Sequence, residues 1–332
     1  MVDVKKYLFF LCVMILSLLV TSSNKQITIF IIGDSTAANK SAYKTNPERG
    51  WGMVLQGCFD SKILVDNHAQ NGRSSKSFID EGRWDKVMEK LKPGDYVIIQ
   101  FGHNDEKPNP QRHTDPGSTF DDNLRKFCKE TMAKGGHPIL MNAVVRRNFL
   151  RKVDNTVEDE SLRSVKYGDE EVNSDTLIDT HGAYLFPPKY VAEELGVPFV
   201  DANRITHDIE QGMGIEGSRK LHMWLKPGEV ASIPDGRKDN THYNIYGAHV
   251  VANALANEIA KQVPALRKHV IHYDYVVSKL GRGNYMTLQE AVDAASVGKK
   301  TKILVLDGEW DKPTVPKGKK VSFKTFPNAT VK

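Results

Sequence analysis

Four short polar blocks of this 332-residue chain hold side chains that can do chemistry when they meet. Each block is a weak signal alone, because combinations of this length occur by chance in many proteins. Their residue types complement one another, since they supply a hydroxyl, an imidazole, a carboxylate and an amide. In chain order the blocks are Gly33-Asp34-Ser35, Asn71-Gly72-Arg73, Gly102-His103-Asn104 and Asp239-Asn240-Thr241-His242.

The hydroxyl and the imidazole predict nucleophilic catalysis. A serine such as Ser35 attacks a carbonyl only when a base takes its proton, and His242 is the candidate base. Asp239 lies one helical turn before His242, so its carboxylate can fix the imidazole tautomer and stabilise the imidazolium. We therefore expect a Ser35–His242–Asp239 triad.

Hydrogen-bond donors for a tetrahedral oxyanion are the second requirement of this chemistry. Ser35 is expected at the start of a loop or helix, where its own backbone N–H can point into the site. Gly72 lets the backbone come close and offers a second N–H, and Asn104 offers a side-chain amide.

Each of these residues also has an ordinary structural explanation. Ser35 could cap a helix, Asn104 and Asp105 could form a turn, and His242 could be a surface histidine. The sequence alone leaves these alternatives open.

Two further histidines, His181 and His103, are candidates for a role at the site. Asp179 and His181 also pair an acid with a histidine, but two residues apart and without a preceding strand. We therefore expect His181 to contact substrate and not to act as the base. His103 is expected to contact substrate or to pack. The histidines do not cluster with carboxylates at metal-ligand spacing, so the sequence predicts no metal and no cofactor.

Apolar runs precede the first three blocks, as expected for buried strands that end at a loop. Strands that are nearly all apolar and that alternate with helices indicate a parallel sheet covered on both faces, a three-layer α/β/α sandwich. Ligand sites of such sheets lie beyond the carboxyl ends of the strands. The predicted strands are 26–32, 63–65, 96–101, 138–145 and 197–201, and the predicted helices are about 76–91, 119–134, 187–195 and 247–262.

The four blocks, in this order, resemble those of the SGNH (GDSL-type) hydrolases. Thr36-Ala37 after the serine, together with Gly50-Trp51-Gly52, resembles the rhamnogalacturonan acetylesterase branch, over about residues 26–265. The resemblance implies a flavodoxin-like sandwich, ester hydrolysis without a cofactor, and an oxyanion hole built by Ser35, Gly72 and Asn104 together.

Sugar sites are commonly lined with aromatic rings and flat polar groups, and such residues occur beside the predicted site. The polar loops 105–118 and 150–182 are expected to form the rim of an open groove. The residues expected to contact sugar are Trp51, Arg73, His103, His181 and Tyr243.

The N-terminus resembles an export signal. Lys5 and Lys6 precede an apolar run over residues 7–20, and small residues follow at 21–23. The run is shorter than the roughly 20 residues that span a bilayer. We expect a cleaved signal peptide over 1–23, a secreted or periplasmic protein, no membrane contact after cleavage, and an esterase domain over 24–269.

The C-terminal stretch 270–332 resembles the start of pectin methylesterases, a family of right-handed parallel β-helices. The resemblance implies an incomplete β-helix without the catalytic aspartates of that family; the alternative is a small accessory module. A solenoid coil buries its apolar face only against a neighbouring coil. We therefore expect this segment to be poorly ordered or loosely docked, and its deletion to lower the melting temperature little.

Charge and cysteine content exclude some classes of partner. The net charge of +5 equals that of residues 270–332, while residues 24–269 carry −1. No basic stripe suited to nucleic acid is visible. Cys58 and Cys128 remain after signal cleavage; they could be bonded to each other or both be buried thiols, and we favour the second.

Together these observations predict a secreted, monomeric carbohydrate esterase that removes O-acetyl groups from pectic polysaccharide, with rhamnogalacturonan as the expected substrate. Two other functions stay open. One is a lipolytic or thioester SGNH hydrolase, and the other is a catalytically inactive pectin-binding protein.

Overall fold

The computed structural model describes residues 26–154 and 156–332. The predicted signal peptide, residues 1–23, lies outside the described residues. Within them, no helix is long and apolar enough to cross a membrane.

A five-stranded parallel sheet forms the centre of the main body. Its strand order is β2-β1-β3-β4-β5. The register pairs Gly33 with Gln100, so β1 and β3 end at the same level and their loops meet. The strands are β1 (Ile27–Gly33), β2 (Ile63–Asn67), β3 (Tyr96–Gln100), β4 (His137–Met141) and β5 (Phe199–Val200).

The fourth strand is shorter than the sequence predicts. β4 ends at Met141 because the next side chain, Asn142, turns to the chain after β5: it donates to Asp201 Oδ1 at 2.9 Å and accepts from the Asn203 N–H at 2.8 Å. The residues after Asn142 thereby leave the sheet.

Helices cover both faces of the sheet. The predicted helix 76–91 is two helices, broken where Gly82 adopts a φ of +64°. The glycine-rich helix Ala202–Ser218 was not predicted, and it is itself interrupted at Gly214. The helices are α1 (Trp51–Val54), α2 (Ser75–Asp80), α3 (Arg83–Lys90), α4 (Thr119–Ala133), α5 (Pro187–Leu195), α6 (Ala202–Ser218), α7 (Ile245–Gln262) and α8 (Pro264–Arg267). Short 3-10 helices span Leu55–Cys58, Asp159–Ser164, Gly182–Leu185 and Arg219–Leu221.

The two faces of the sheet form two separate apolar cores, which gives the predicted three-layer α/β fold. Ile29 and Ile31 point to the core shared with α7, whereas Phe30 and Ile32 point to the core shared with α3, α4 and α5. This division follows from the alternation of side chains along a strand.

The two cysteines lie in different cores. Cys58 belongs to the α7 side and Cys128 to the opposite side, and both thiols are free and buried. Burial raises the pKa of each thiol to about 12. The prediction of buried thiols is confirmed.

Residues 270–332 form a small parallel β structure with its own core. β6 (Tyr275–Val277), β7 (Lys300–Val305) and β9 (Lys320–Thr325) pair in parallel in the order β6-β7-β9. β8 (Gly308–Trp310) and β10 (Ala329–Val331) form a second parallel pair, and the helix α9 (Leu288–Ala294) packs beside them.

This segment is attached to the main body through buried contacts. Arg49 is 1% exposed, and its guanidinium donates to the Gly281 carbonyl at 2.8 Å. The Ile271 N–H donates to the Cys58 carbonyl at 2.9 Å. Gly57 packs so closely that a Cβ there would lie 3.0 Å from Val276. The expectation of a loosely docked segment is wrong, because the buried Arg49 donates to this segment and Val276 packs closely on Gly57.

Deleting residues 270–332 should therefore lower the melting temperature. The deletion removes the acceptor of the buried Arg49 Nε and exposes the surface under Val276. We expect a loss of about 5 °C or more, measured by circular dichroism. The full-length Arg49→Met variant should lose part of the same stability, whereas Arg204→Met, on the exposed face of α6, should not. An unchanged melting temperature on deletion would restore the loose-docking interpretation.

Candidate active site

Ser35 lies in a tight turn directly beyond the carboxyl end of β1. The Asp34 carbonyl accepts from the Ala38 N–H at 3.0 Å, and the Asp34 carboxylate accepts from the Thr36 N–H at 2.9 Å. A Cβ on Gly33 would lie 2.6 Å from the Gln100 carbonyl oxygen. Only glycine therefore lets β1 approach β3 so closely at the point where the turn begins.

A second close approach holds this turn from the other side. The Trp51 N–H donates to the Thr36 carbonyl at 2.9 Å. A Cβ on Gly50 would lie 2.4 Å from the Ala38 carbonyl oxygen, so the segment before α1 can pack on the turn only with glycine at this position.

His242 and Asp239 reach Ser35 from the loop before α7. His242 Nε2 lies 3.0 Å from Ser35 Oγ, and His242 Nδ1 lies 2.8 Å from Asp239 Oδ2. The other carboxylate oxygen, Asp239 Oδ1, accepts the backbone N–H groups of Thr241 and His242, each at 2.9 Å. The hydroxyl, imidazole and carboxylate thus form one continuous hydrogen-bonded chain.

The carboxylate of this chain is ionised. Burial alone would raise the pKa of Asp239, but His242 and the Arg237 guanidinium outweigh burial and hold it well below its usual range. An ionised acceptor at His242 Nδ1 fixes the tautomer whose Nε2 can take a proton from the serine.

The two other predicted oxyanion donors lie in loops that one carboxylate joins. Asp105 accepts from the Ser75 N–H at 3.0 Å and from the Gly102 N–H at 3.2 Å, so it connects the loop of Gly72 with the loop of Asn104. Burial raises the pKa of Asp105 to about 6, although these hydrogen bonds act in the opposite direction.

Asn104 keeps donor capacity in this arrangement, and Gly72 lies in the loop beside it. Gly72 is buried with a φ of +71°, a conformation that favours glycine. Asn104 Nδ2 donates one hydrogen to the Arg73 carbonyl at 3.2 Å, which leaves its second N–H for another acceptor.

His181, the second candidate histidine, is occupied elsewhere. Its Nδ1 lies 2.9 Å from Glu106 Oε2 and its Nε2 lies 3.0 Å from the Val144 carbonyl. The electrostatic field of Arg146 and His181 outweighs burial and lowers the pKa of Glu106 to about 2, so this carboxylate is ionised. Both ring nitrogens therefore face acceptors, and neither is free to act as a base.

Four of the five residues predicted to contact sugar are buried side chains: Trp51, His103, His181 and Tyr243. Trp51 and Tyr243 belong to the apolar core between the sheet and α7, and Trp51 Nε1 donates to Gln100 at 3.2 Å. His103 is wholly buried against the His181 ring, with ring centroids 4.5 Å apart. Burial, together with the nearby charges of Arg146 and His181, lowers the pKa of His103 to about 3.

Arg73 is the predicted sugar contact that stays partly exposed. Its side chain is 30% exposed and forms an ion pair with Glu81 at 3.0 Å. It lies directly after Gly72, at the edge of the site.

The site is covered, not an open groove as predicted. Ser35 and His242 are each only 1% exposed. Arg112 donates to Asn104 Oδ1 at 3.3 Å and to Glu158 at 2.5 Å, while a Cβ on Gly72 would lie 3.0 Å from Glu160 Oε1. The polar stretch that was expected to form a rim therefore lies across the predicted oxyanion donors.

A cavity of about 280 Å³ lies beside this cover. It reaches Asn240 and Thr241 next to His242, and its lining includes the basic residues Lys107, Arg146 and Lys152. Within the described residues, no group of three or more acidic, histidine or cysteine side chains is arranged to hold a metal ion.

The comparison with protein families agrees with this geometry. The family described as GDSL-like lipase/acylhydrolase matches residues 29–255, which include all four polar blocks. The chain belongs to this family. It is accordingly a serine-dependent esterase with rhamnogalacturonan acetylesterase homologues.

Individual relatives of this GDSL-type esterase extend over nearly the whole main body. The chain is 36% identical to rhamnogalacturonan acetylesterase RhgT of Bacillus subtilis over 247 residues, which are 74% of this chain and 95% of that protein. It is 28% identical to the rhamnogalacturonan acetylesterase of Emericella nidulans, over 75% of this chain and 91% of that protein.

A solved structure shares the fold. The crystal structure of protein YxiM from Bacillus subtilis aligns with a TM-score of 0.55 at 24% identity, covering 73% of this chain and 58% of that chain. The α/β fold with a parallel central sheet is thus shared with this protein.

The sequence reasoning missed three buried charged residues next to the site. These are Lys40 and Arg237, which lie beside Ser35 and Asp239, and Glu48, which forms an ion pair with each of them. Arg237 is only two residues before Asp239, but nothing in that spacing distinguishes it from a solvated surface arginine.

The two histidines give a direct test of the base. His242→Ala should lower kcat by about 10³ or more, because it leaves Ser35 without an acceptor for its proton. His181→Ala should keep most of the activity and should instead lower the melting temperature, since it removes a partner of the buried Glu106. The measurement is p-nitrophenyl acetate hydrolysis with thermal unfolding of both variants. Loss of activity in His181→Ala alone would show that the base is wrongly chosen.

Asn104 tests the oxyanion donors. Asn104→Ala should reduce kcat by about 10²–10³ with little change in KM, because an oxyanion contact strengthens in the transition state. Steady-state kinetics on the same ester separate the two constants. A change confined to KM would make Asn104 a ground-state binding residue.

Proposed function

We propose that this esterase removes O-acetyl groups from pectic polysaccharide, with rhamnogalacturonan as its substrate. The observation that carries the proposal is the hydrogen-bonded chain Ser35–His242–Asp239 at the carboxyl edge of the sheet. The choice of substrate is supported by the relative RhgT, a rhamnogalacturonan acetylesterase matched over 95% of its length.

The proposed mechanism uses only groups of this chain. Ser35 Oγ attacks the acetyl carbonyl while His242 Nε2 takes its proton, and Asp239 stabilises the imidazolium that forms. The negative charge on the carbonyl oxygen is held by the Ser35 and Gly72 N–H groups and by Asn104 Nδ2.

Collapse of the intermediate breaks the bond to the sugar oxygen. His242 returns its proton to the departing alkoxide, which leaves an acetyl group on Ser35. Water then attacks this acetyl-enzyme with His242 again as the base, and acetate leaves. These steps require no cofactor.

Three further parts of the proposal concern the whole chain. We propose that residues 1–23 direct export and are removed, and that the esterase acts as a monomer outside the cytoplasm. We also propose that residues 270–332 are the start of a pectin methylesterase-like β-helix. The parallel pairs β6-β7-β9 and β8-β10 support this second relationship.

A substrate panel tests the proposal. Acetate release should be highest from acetylated rhamnogalacturonan, lower from acetylated homogalacturonan and xylan, and absent in Ser35→Ala. Long-chain p-nitrophenyl esters run in parallel: preference for them would favour the lipolytic or thioester alternative. No Ser35-dependent hydrolysis even of p-nitrophenyl acetate would favour an inactive pectin-binding protein.

A further inference from the structure

Glu48 lies at the centre of a buried charge cluster beside the active site. Glu48 is 3% exposed, and its carboxylate contacts three cationic side chains. Lys40 Nζ lies 2.9 Å from Oε1, Arg163 Nη2 lies 2.7 Å from Oε1, and Arg237 Nη1 lies 2.8 Å from Oε2. We call these four side chains the Glu48 cluster.

One end of the Glu48 cluster contacts the acid of the proposed triad. Arg237 Nη2 donates to Asp239 Oδ2, the same oxygen that lies 2.8 Å from His242 Nδ1. Arg237 Nη2 itself lies 3.4 Å from His242 Nδ1. The guanidinium is therefore close enough to affect the protonation of both Asp239 and His242.

The other end of the cluster contacts the nucleophile turn. Lys40 Nζ donates to the Ser35 carbonyl at 2.6 Å and to Asn71 Oδ1 at 2.8 Å. Asn71 directly precedes Gly72 in the loop of the proposed oxyanion donor. One carboxylate, Glu48, thus connects through two cations the loops that carry the serine, an oxyanion donor and the acid.

We propose that Arg237 and Glu48 are positioning residues that hold Asp239 in place and set the pH range in which His242 acts as the base. This inference rests on the proposed function only in taking His242 as the base; it does not depend on which sugar carries the acetyl group.

The charges of Asp239 and Arg237 have opposite effects on the protonation of His242. An ionised Asp239 stabilises the imidazolium of His242, and a cation bound to the same carboxylate oxygen weakens that stabilisation. Glu48 counteracts Arg237. Burial alone would raise the pKa of Glu48, but Lys40, His242 and the arginines hold it well below its usual range, so it is ionised.

Other charged or titratable groups also lie near this pair. Arg163 comes from the 3-10 helix Asp159–Ser164 and Lys40 from the segment between β1 and α1. Asp34 lies beside Ser35, and burial, opposed by hydrogen bonds from Thr36, raises its pKa to about 7. The variants below leave these three groups unchanged.

The test is the pH profile of kcat/KM for p-nitrophenyl acetate, whose acidic limb reports protonation of the base in the free enzyme. Arg237→Met removes a positive charge and should move the acidic limb to higher pH by about 1 unit. Glu48→Gln removes a negative charge and should move it to lower pH. The double variant should return towards the wild-type profile.

Two controls separate charge from structure. Arg237→Lys keeps the charge but loses the two-sided hydrogen bonding, so it should lower kcat/KM while leaving the midpoint of the limb near wild type. Arg125→Met, on the exposed face of α4, should change nothing. If Arg237→Met does not fold, the shift of Glu48→Gln to lower pH still decides the question.

A purely structural role predicts loss of activity at every pH with no change in the midpoint. That result, or shifts of both single variants in the same direction, would overturn the proposal. Failure of the proposed function is recognised separately, because Ser35→Ala would then retain hydrolysis of the same ester.

Discussion

The 3.0 Å hydrogen bond between Ser35 and His242 joins residues 207 positions apart in the chain. It forms because local structure fixes the positions of both residues. The close approach at Gly33 delivers Ser35 beyond β1, and Asn244 caps α7 by accepting from the Gly247 N–H at 2.9 Å. The same Asn244 side chain donates to the His222 carbonyl, which holds the loop of His242 against the body.

Buried charges surround this bond, and their pairing explains why the loops keep one arrangement. An unpaired buried charge costs far more than a paired one, so a loop that carries such a charge is held where its partner lies. Arg146 contacts both Glu106 and Asp159, and Glu48 contacts Arg237. These ion pairs therefore connect the loops around the site to one another.

The sequence was sufficient for the elements that depend on local signals. Apolar runs located the central strands, and the order of the four blocks selected Ser35, Asp239 and His242, which do lie in hydrogen-bond contact. The break at Gly82 and the glycine-rich α6 were missed, because one glycine can end a helix or be tolerated within it.

The features that the sequence did not predict have a common physical cause, because each depends on contacts between residues far apart in the chain. Trp51 and Tyr243 are aromatic residues next to the site in sequence, but the face they occupy is set by packing against α7, which composition does not report. The bond from Arg49 to Gly281 joins residues 232 apart and ends at a backbone carbonyl, so no side-chain pattern predicts it. The ion pair of Glu48 and Arg237 joins residues 189 apart, so no local pattern predicts it either.

The central claim is that Ser35 is the nucleophile and His242 its base. The most direct test is to treat the full-length protein with an alkyl phosphonate ester. The labelled residue is then identified by mass spectrometry of its peptides. The account predicts one modification, on Ser35, which forms in the wild type and is lost in His242→Ala. Labelling of a different residue, or undiminished labelling of Ser35 without His242, would contradict it.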